Sequence, residues 1–419
     1  MSVSLAEATR VFGRIGLMSF GGPAAQIALM HRELVDRKGW LTEAEYLSAL
    51  SFCMLLPGPE AMQLATYAGW RLHGTRGGLI AGLLFVLPGA LVMLALVSAY
   101  AAFGSLPLVT ALFLGVKSCV VVIVIEALLR VARRALQTPD RWVIAGLAFL
   151  AIFALHVPFP AIILAAAIYG ALTAKGPGTI AEASGRRPAT ARATAATVLV
   201  WAAIWWAPVA LACAGGQKLL TEVGLFFSQL AVVTFGGAYA VLAYMAQQAV
   251  EAQGWLSPAA MLDGLGLAET TPGPLILVTE FVGYLAGHGQ GGWTLGALAA
   301  AMTLWVTFAP CFLWIFAGAP WIETLTRRPR LAAALSAVTA AVVGVILNLS
   351  LWFALHVLFR TVTDRSLGPV TLPVPDPATL DWRALALTAL AAVLLLRLHV
   401  GLLPVLALSA AAGLALSAI

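Results

Sequence analysis

The 419 residues are 61% hydrophobic and 10% charged, with a mean hydropathy of +0.96, against roughly 45–50% apolar and 25% charged in soluble domains. Too few charges remain to coat a soluble fold of this size, which excludes soluble catalysis, nucleic-acid binding and secretion as classes. The net charge of +6 needs no anionic partner, because cytoplasmic loops of membrane proteins collect Lys and Arg.

In chain order, apolar runs predict segments at about 6–36, 44–72, 78–103, 108–134, 141–156 and 159–173. A polar linker, Lys175 to Arg192, and a single helix near 194–214 follow. Further segments are predicted at about 221–250, 258–287, 293–319, 331–358, 383–396 and 399–418. A spanning helix needs roughly 20 mostly apolar residues, so the class is an all-α polytopic membrane protein. The stretch Thr361 to Asp381, broken by prolines and glycines, predicts a loop. Met1–Arg10 has no basic n-region and is not expected to be a cleavable signal. Cys53, Cys119, Cys213 and Cys311 lie far apart inside apolar runs and read as small core residues.

The chain repeats itself. Phe20-Gly21-Gly22 recurs as Phe235-Gly236-Gly237, Gly39-Trp40-Leu41 as Gly254-Trp255-Leu256, and Pro57-Gly58-Pro59 as Pro272-Gly273-Pro274, always 215 residues on. His73-Gly74 matches His288-Gly289 at the same offset, and Pro88 matches Pro310 at 222. This reads as a fused duplication: residues 1–174, a linker with one linking helix over 175–220, and residues 221–419.

Charge placement predicts how the halves are oriented. Arg32, Arg37 and Lys38 sit in a loop whose counterpart, Gln247 to Gly254, has no basic residue. The reverse holds for Arg327, Arg328 and Arg330 against Gly104–Pro107. Equivalent loops of opposite basic content imply an inverted-topology repeat, which one linking helix permits. Loops on both sides of the first Pro-Gly-Pro segment are basic. The Phe-Gly-Gly and Pro-Gly-Pro segments are therefore expected to be re-entrant hairpins or broken helices, giving nine full spans and four hairpins. Thirteen full spans, six plus one plus six, is the alternative and leaves basic loops on both faces.

Broken segments are where binding is expected. Proline removes a backbone donor and glycine permits positive φ, so Pro-Gly-Pro cannot continue a helix. Irregular backbone at membrane depth survives only when buried in protein or lining a wet cavity. A helix restarting there points free N–H groups and a positive dipole end at an anion. Gly21, Gly22, Pro23, Pro57, Gly58 and Pro59, with Gly236, Gly237, Pro272, Gly273 and Pro274, form the candidate substrate site; the alternative is that they only kink packed helices. Ionisable groups in apolar runs are costly and usually functional. Lys117, mid-helix, holds an anion or pairs with Glu60 or Glu269. Glu60 also fits a helix-capping carboxylate, while Glu269 and Glu280 flank the second break. Gln63 and Thr271 are neutral oxyanion contacts. His31, Arg32, Arg71 and His73 read as interfacial anchors, as do Trp40 and Trp255.

There is no HExxH, no GxxxxGK[ST], no GxSxG and no metal-spaced cysteine pair, so no cofactor, metal or ATP hydrolysis is expected. An intramembrane hydrolase using Glu60 and Glu269 would lack a nucleophile.

The stretches SFGGPAAQIALMHRELVDRKGWL, CMLLPGPEAMQLATYAGW and LFVLPGA, with TFGGAYAVLAYMAQQAVEAQGWL and AETTPGPLILVTEFVGY in the second half, resemble the chromate ion transporter family in its long-chain, two-domain type. The resemblance covers nearly the whole chain. It implies chromate export across the bacterial inner membrane by a multi-pass protein, with sulfate as the chemical look-alike and a monomer or homodimer in lipid. A sulfate importer and an oxyanion channel are the alternatives. Family-typical positions matched here are Gly21, Gly22, Pro23, His31, Pro57, Gly58, Pro59, Glu60, Gln63, Lys117 and the second Pro-Gly-Pro. Met62 stands where long-chain relatives often carry a second Gln, which removes one oxyanion donor.

Overall fold

The computed structural model describes residues 3–174, 190–235, 238–322, 328–368 and 370–417. Among them the chain is predominantly helical. Five helical stretches, Glu60–Phe103, Pro107–Ala135, Ala191–Ala214, Leu275–Trp321 and Pro329–Leu358, are long and apolar enough to cross a membrane. Most of the linker, with Gly236, Gly237 and Arg327, lies outside the described residues.

Helix α1 (Leu5–Met18) starts where the Ser4 hydroxyl accepts from the Glu7 amide, and it buries Val11, Phe12 and Ile15. It stops before Gly21 and Gly22, both at positive φ. Helix α2 (Gly22–His31) carries Pro23 in its first turn and runs into a π-helical turn at Arg32–Arg37. Helix α3 (Glu43–Cys53) opens on a capping box between Thr42 and Glu45, which satisfies two otherwise orphaned amides. Helix α4 (Glu60–Phe103) restarts directly after Pro57-Gly58-Pro59.

The long helix α4 is two legs, not one rod. At His73 and Gly74 the backbone leaves the helical region, with Gly74 at φ +61. A Cβ on Gly69 would lie 2.3 Å from the Gly77 carbonyl oxygen, and one on Gly77 would lie 2.2 Å from the Gly69 oxygen. The legs are therefore antiparallel and touch backbone to backbone. Residues 60–72 rise about 20 Å at 1.5 Å per residue, short of the ~30 Å of a bilayer core. This leg also runs back along α3: Arg71 pairs with Glu45 at 2.6 Å, and Phe52 meets Tyr67 further along. Both ends of the Pro-Gly-Pro segment thus sit at one end of a short helical hairpin with the motif at its tip.

Helices α5 (Pro107–Ala135), α6 (Pro139–Phe153) and α7 (Phe159–Thr173) complete the first half, and α8 (Ala191–Ala214) is the linking helix. The order then recurs: α9 (Lys218–Val233), α10 (Ala238–Ala246), a π-helical turn at Gln247–Ala252, and α11 (Pro258–Thr270). Helix α12 (Val278–Gly318) and α13 (Pro329–Leu358) follow, then α14 (Trp382–Ala392) and α15 (Leu402–Ser417). The two π turns lie 215 residues apart. Each is closed by a glycine at positive φ, Gly39 or Gly254, and by a 2.8 Å bond from a tryptophan amide, Trp40 to Leu34 and Trp255 to Ala249.

One expectation is corrected and one break is located. The chain reversal in α12 falls at Gly291 and Gly292, between the predicted segments 258–287 and 293–319. It lies three residues beyond the match to His73-Gly74 because a 3-10 turn, Leu275–Leu277, is inserted after the second Pro-Gly-Pro. The stretch from Thr361 is not a plain loop: Val362–Leu367 pairs antiparallel with Val370–Pro375 around Gly368 at φ +67. Pro373 and Pro375 are tolerated because a two-stranded ribbon leaves one edge of each strand unpaired. Of the four thiols, Cys213 is exposed while Cys53, Cys119 and Cys311 are buried.

The chain divides into two compact units, each drawing on both halves. The first comprises Met1–Val97, Ala174–Ala238 and Ala268–Ala333, and the second Ser98–Thr173, Tyr239–Leu267 and Ala334–Ile419. In the first, α12 packs on α8 and α9. In the second, α5 packs on α14 and α15 around Cys119, Val122, Leu395, Val405 and Leu406. There a Cβ on Gly115 would lie 1.8 Å from the Ser409 oxygen, so only glycine admits that helix contact. The β-hairpin residues Val362, Asp364 and Pro373 line a cavity of about 150 Å³ in the second unit with His156, Glu251 and His356.

Candidate functional site

In the first unit the broken segments of the two halves are exchanged. The Gly58 amide donates to the Thr234 carbonyl at 2.8 Å, and the Gly273 amide donates to the Ser19 carbonyl at 2.7 Å. Each Pro-Gly-Pro glycine thus bonds the residue that precedes the other half's Phe-Gly-Gly. The local conformations match as well. Phe20 and Phe235 each donate to the carbonyl two residues back at 3.0 Å, and the Ser19 and Thr234 hydroxyls each donate four residues back.

Packing around the motifs follows the same exchange. A Cβ on Gly58 would lie 2.9 Å from Cys311 Sγ, next to Pro310, and a Cβ on Gly89, next to Pro88, would lie 2.0 Å from the Pro272 oxygen. Residue i meets j and the copy of j meets the copy of i, so the two halves touch through the same pairs of sequence positions. Gly236 and Gly237 lie outside the described residues, so Thr234 and Phe235 represent that motif here.

Two glutamines brace these loops. Gln63, fully buried, donates from Nε2 to the Pro57 carbonyl at 2.6 Å, and its Oε1 has no hydrogen-bond partner among the described residues. Gln26, 1% exposed, donates to the Gly273 carbonyl at 2.6 Å and to the Ser19 carbonyl at 3.3 Å; its Oε1 likewise has none among them. Sequence reasoning passed over Gln26, although an amide inside the apolar run QIALM is a visible signal. Glu60 heads α4, where the dipole of the restarting helix favours a carboxylate. Glu269 and Thr271 are buried beside the second break. Glu280 and Tyr284, one turn apart on α12, are each 1% exposed, and the Glu280 Oε2 and Tyr284 hydroxyl atoms lack a partner among the described residues. The positive ends of α2 and α4 and their first-turn amides therefore flank Gly21, Gly22, Pro23, Pro57 and Pro59.

His31 sits at the end of α2 with Nε2 2.6 Å from Glu43 and Nδ1 3.5 Å from Asp36, its ring edge-on to Tyr46. The hydrogen bond to Glu43 is the main force holding its pKa above the ordinary value. This is an anchor between α2 and α3.

Lys117 belongs to the second unit. Its partner is Asp263 on α11, with Nζ 3.4 Å from Oδ1; the lysine side chain is half-buried at 16% exposure and the aspartate buried at 7%. The Tyr100 hydroxyl donates to the other carboxylate oxygen at 2.8 Å. The sequence reading offered Glu60 and Glu269 as partners and missed Asp263, whose place in the apolar run MLDGLGLA carries the same signal as theirs. Glu126 pairs with Arg130 one turn along α5. Among the described residues no group of His, Cys, Asp and Glu is arranged to hold a metal ion.

The model of a family described as "Chromate transporter" matches residues 6–171 and again 221–414. A chromate transport protein of Pseudomonas aeruginosa is 34% identical over 80% of this chain and 77% of its own length. One from Cupriavidus metallidurans is 29% identical over 82% and 81%, and a probable chromate transport protein of Synechococcus elongatus is 30% identical over 82% and 83%. No solved structure matches the chain. With the family model covering both halves, and with five helices long and apolar enough to cross a membrane among the described residues, the chain belongs to the chromate transporter family.

Proposed function

We propose that the chain is an inverted-repeat secondary transporter that exports chromate across the bacterial inner membrane. The observation that carries this reading is the reciprocal pair of bonds, Gly58 to Thr234 and Gly273 to Ser19. They tie both broken motifs of one half to those of the other, which is how inverted repeats assemble a substrate site. Opposite basic content of equivalent loops supports opposed insertion of the halves. The short hairpin joining α3 to residues 60–72 supports a re-entrant Pro-Gly-Pro segment.

A tetrahedral oxyanion suits what the motifs present. Gly21, Gly22, Pro23, Pro57, Gly58 and Pro59, with Pro272, Gly273 and Pro274, bring helix starts and glycine amides into the membrane without side-chain bulk. Glu60, Gln63, Glu269 and Thr271 stand beside them in the first unit; Lys117, taken by itself in the second unit, is a separate cation suited to an oxyanion. Export needs no ATP. Moving one charge outward gains about 2.3 kcal/mol per 100 mV, so a dianion gains about 4.6 kcal/mol, equivalent to a gradient above a thousandfold at 1.4 kcal/mol per decade.

The test is chromate flux in proteoliposomes under an imposed potential, with sulfate as competitor. Saturable flux that follows the sign of the potential and is weakly inhibited by sulfate is expected. Sulfate moving as fast as chromate would make the site generic, and unitary current steps would make the protein a channel.

A further inference from the structure

We propose that Asp263 is an internal counter-ion which the transported oxyanion displaces from Lys117, an inference that rests on the oxyanion reading above. The two ends of this carboxylate are held differently. Oδ2 accepts a 2.8 Å bond from the Tyr100 hydroxyl. Oδ1 faces the ammonium at 3.4 Å and has no well-formed hydrogen bond, whereas charge-assisted N–H···O bonds close to about 2.7–2.9 Å. One oxygen is anchored, and the contact to lysine is charge attraction without a tight bond. That is the geometry of a pair able to open while the aspartate keeps a partner.

The approach of the helices fixes this pair. Gly266 lies nearly one turn beyond Asp263, and a Cβ there would stand 2.2 Å from Val116 Cγ1, the residue before Lys117. The α11 backbone at Gly266 therefore seats against the Val116 side chain of α5, and the carboxylate is delivered beside the ammonium. The pair also answers the cost of an empty site. A charge drawn this far out of water is costly without a counter-charge, and Lys117 is half-buried beside a buried carboxylate, so Asp263 compensates Lys117 between transport events. An incoming dianion of matching sign takes over that role, and Asp263 stays on Tyr100. Asp263 is then a positioning residue that sets how tightly the oxyanion binds and helps expel it afterwards.

The sign of two substitutions separates this from a structural pair. Chromate flux into proteoliposomes is measured as KM and maximum rate for the wild type, Asp263→Asn, Tyr100→Phe and Lys117→Gln. Removing the competing charge in Asp263→Asn lowers KM about tenfold and slows the maximum rate, the scale of a lost bond to a charged group. Tyr100→Phe raises KM about threefold, because the carboxylate deprived of its neutral donor leans harder on Lys117. A purely structural pair moves neither KM. Unchanged KM in both variants overturns the proposal. If Asp263→Asn does not accumulate in the membrane, Tyr100→Phe decides alone by the same criterion. Lys117→Gln distinguishes the two levels: wild-type KM there overturns the oxyanion reading at Lys117 itself. Loss of flux there, beside unchanged KM in the other two, overturns only the counter-ion.

Discussion

Gly69 and Gly77 each occupy the space that a side chain on the other would need, with ideal Cβ positions 2.3 and 2.2 Å from the partner's carbonyl oxygen. That contact makes α4 a folded-back pair of legs, and Gly287 repeats it against the Leu295 oxygen at 2.4 Å. Gly69→Ala or Gly77→Ala must spread the legs. Overpacking of this kind costs about 1–3 kcal/mol. Each variant is expected to lower the melting midpoint of the detergent-solubilised protein, and an unchanged midpoint would mean that the legs do not pack here.

The Pro-Gly-Pro hairpin brings Glu45 and Arg71 to one end. In a cysteine-free background, Glu45→Cys and Arg71→Cys are expected to react with a membrane-impermeant thiol reagent from the same face. Reaction from opposite faces would make residues 44–72 a spanning helix and restore the thirteen-span alternative.

The two exchanged glycines are not equally tight. Gly58 has φ +118, and its Cβ would lie 2.8 Å from Gln63 Nε2 and 2.9 Å from Cys311 Sγ; Gly273 has φ +94, and its nearest such contact is 3.2 Å, to Leu277. Both positions favour glycine, and a strained residue costs on the order of 1–3 kcal/mol. Gly58→Ala is expected to lose more chromate flux than Gly273→Ala. Adding Cys311→Ala is expected to return part of the loss in Gly58→Ala only. Equal losses with no such recovery would show that these contacts do not limit transport.

His31 gives the hairpin end a pH dependence. Its imidazolium is bonded to Glu43 and lies near Asp36, so its folded-state pKa is above the unfolded value near 6.5. A raised pKa means that the stabilisation is complete below the unfolded value and is lost as pH rises through the folded one. Relative to His31→Gln, the wild type is expected to be more thermostable at about pH 5.5 than at about pH 8.5. A constant difference between the two proteins across that range would remove the ion pair from the account.

Much of this architecture is legible in the sequence because glycine and proline positions record backbone requirements directly. Phe20-Gly21-Gly22 and Pro57-Gly58-Pro59 mark breaks that do occur, and Gly39 and Gly254 close matching π turns. What escapes is tertiary. Asp263 meets Lys117 from another helix far along the chain, and no periodicity relates them. The three-residue shift between His288-Gly289 and Gly291-Gly292 comes from a 3-10 turn that leaves apolar residues on both sides of it. The β-hairpin at Val362–Pro375 hides behind its prolines, which are breakers in a wide sheet but not in a ribbon. Gln26 is a visible amide in an apolar run, but its partners, the Ser19 and Gly273 carbonyls, are set by the tertiary fold.

The most direct test of the account is the sidedness of two positions in the matching π-helical turns of opposite halves. Single cysteines replacing Arg37 and Glu251 in a cysteine-free background sit in the two π-helical turns, Arg32–Arg37 and Gln247–Ala252. Labelling with an impermeant thiol reagent in intact cells and in inverted vesicles is expected to reach them from opposite faces of the membrane. Labelling of both from one face would contradict the inverted repeat and the exchanged site built on it.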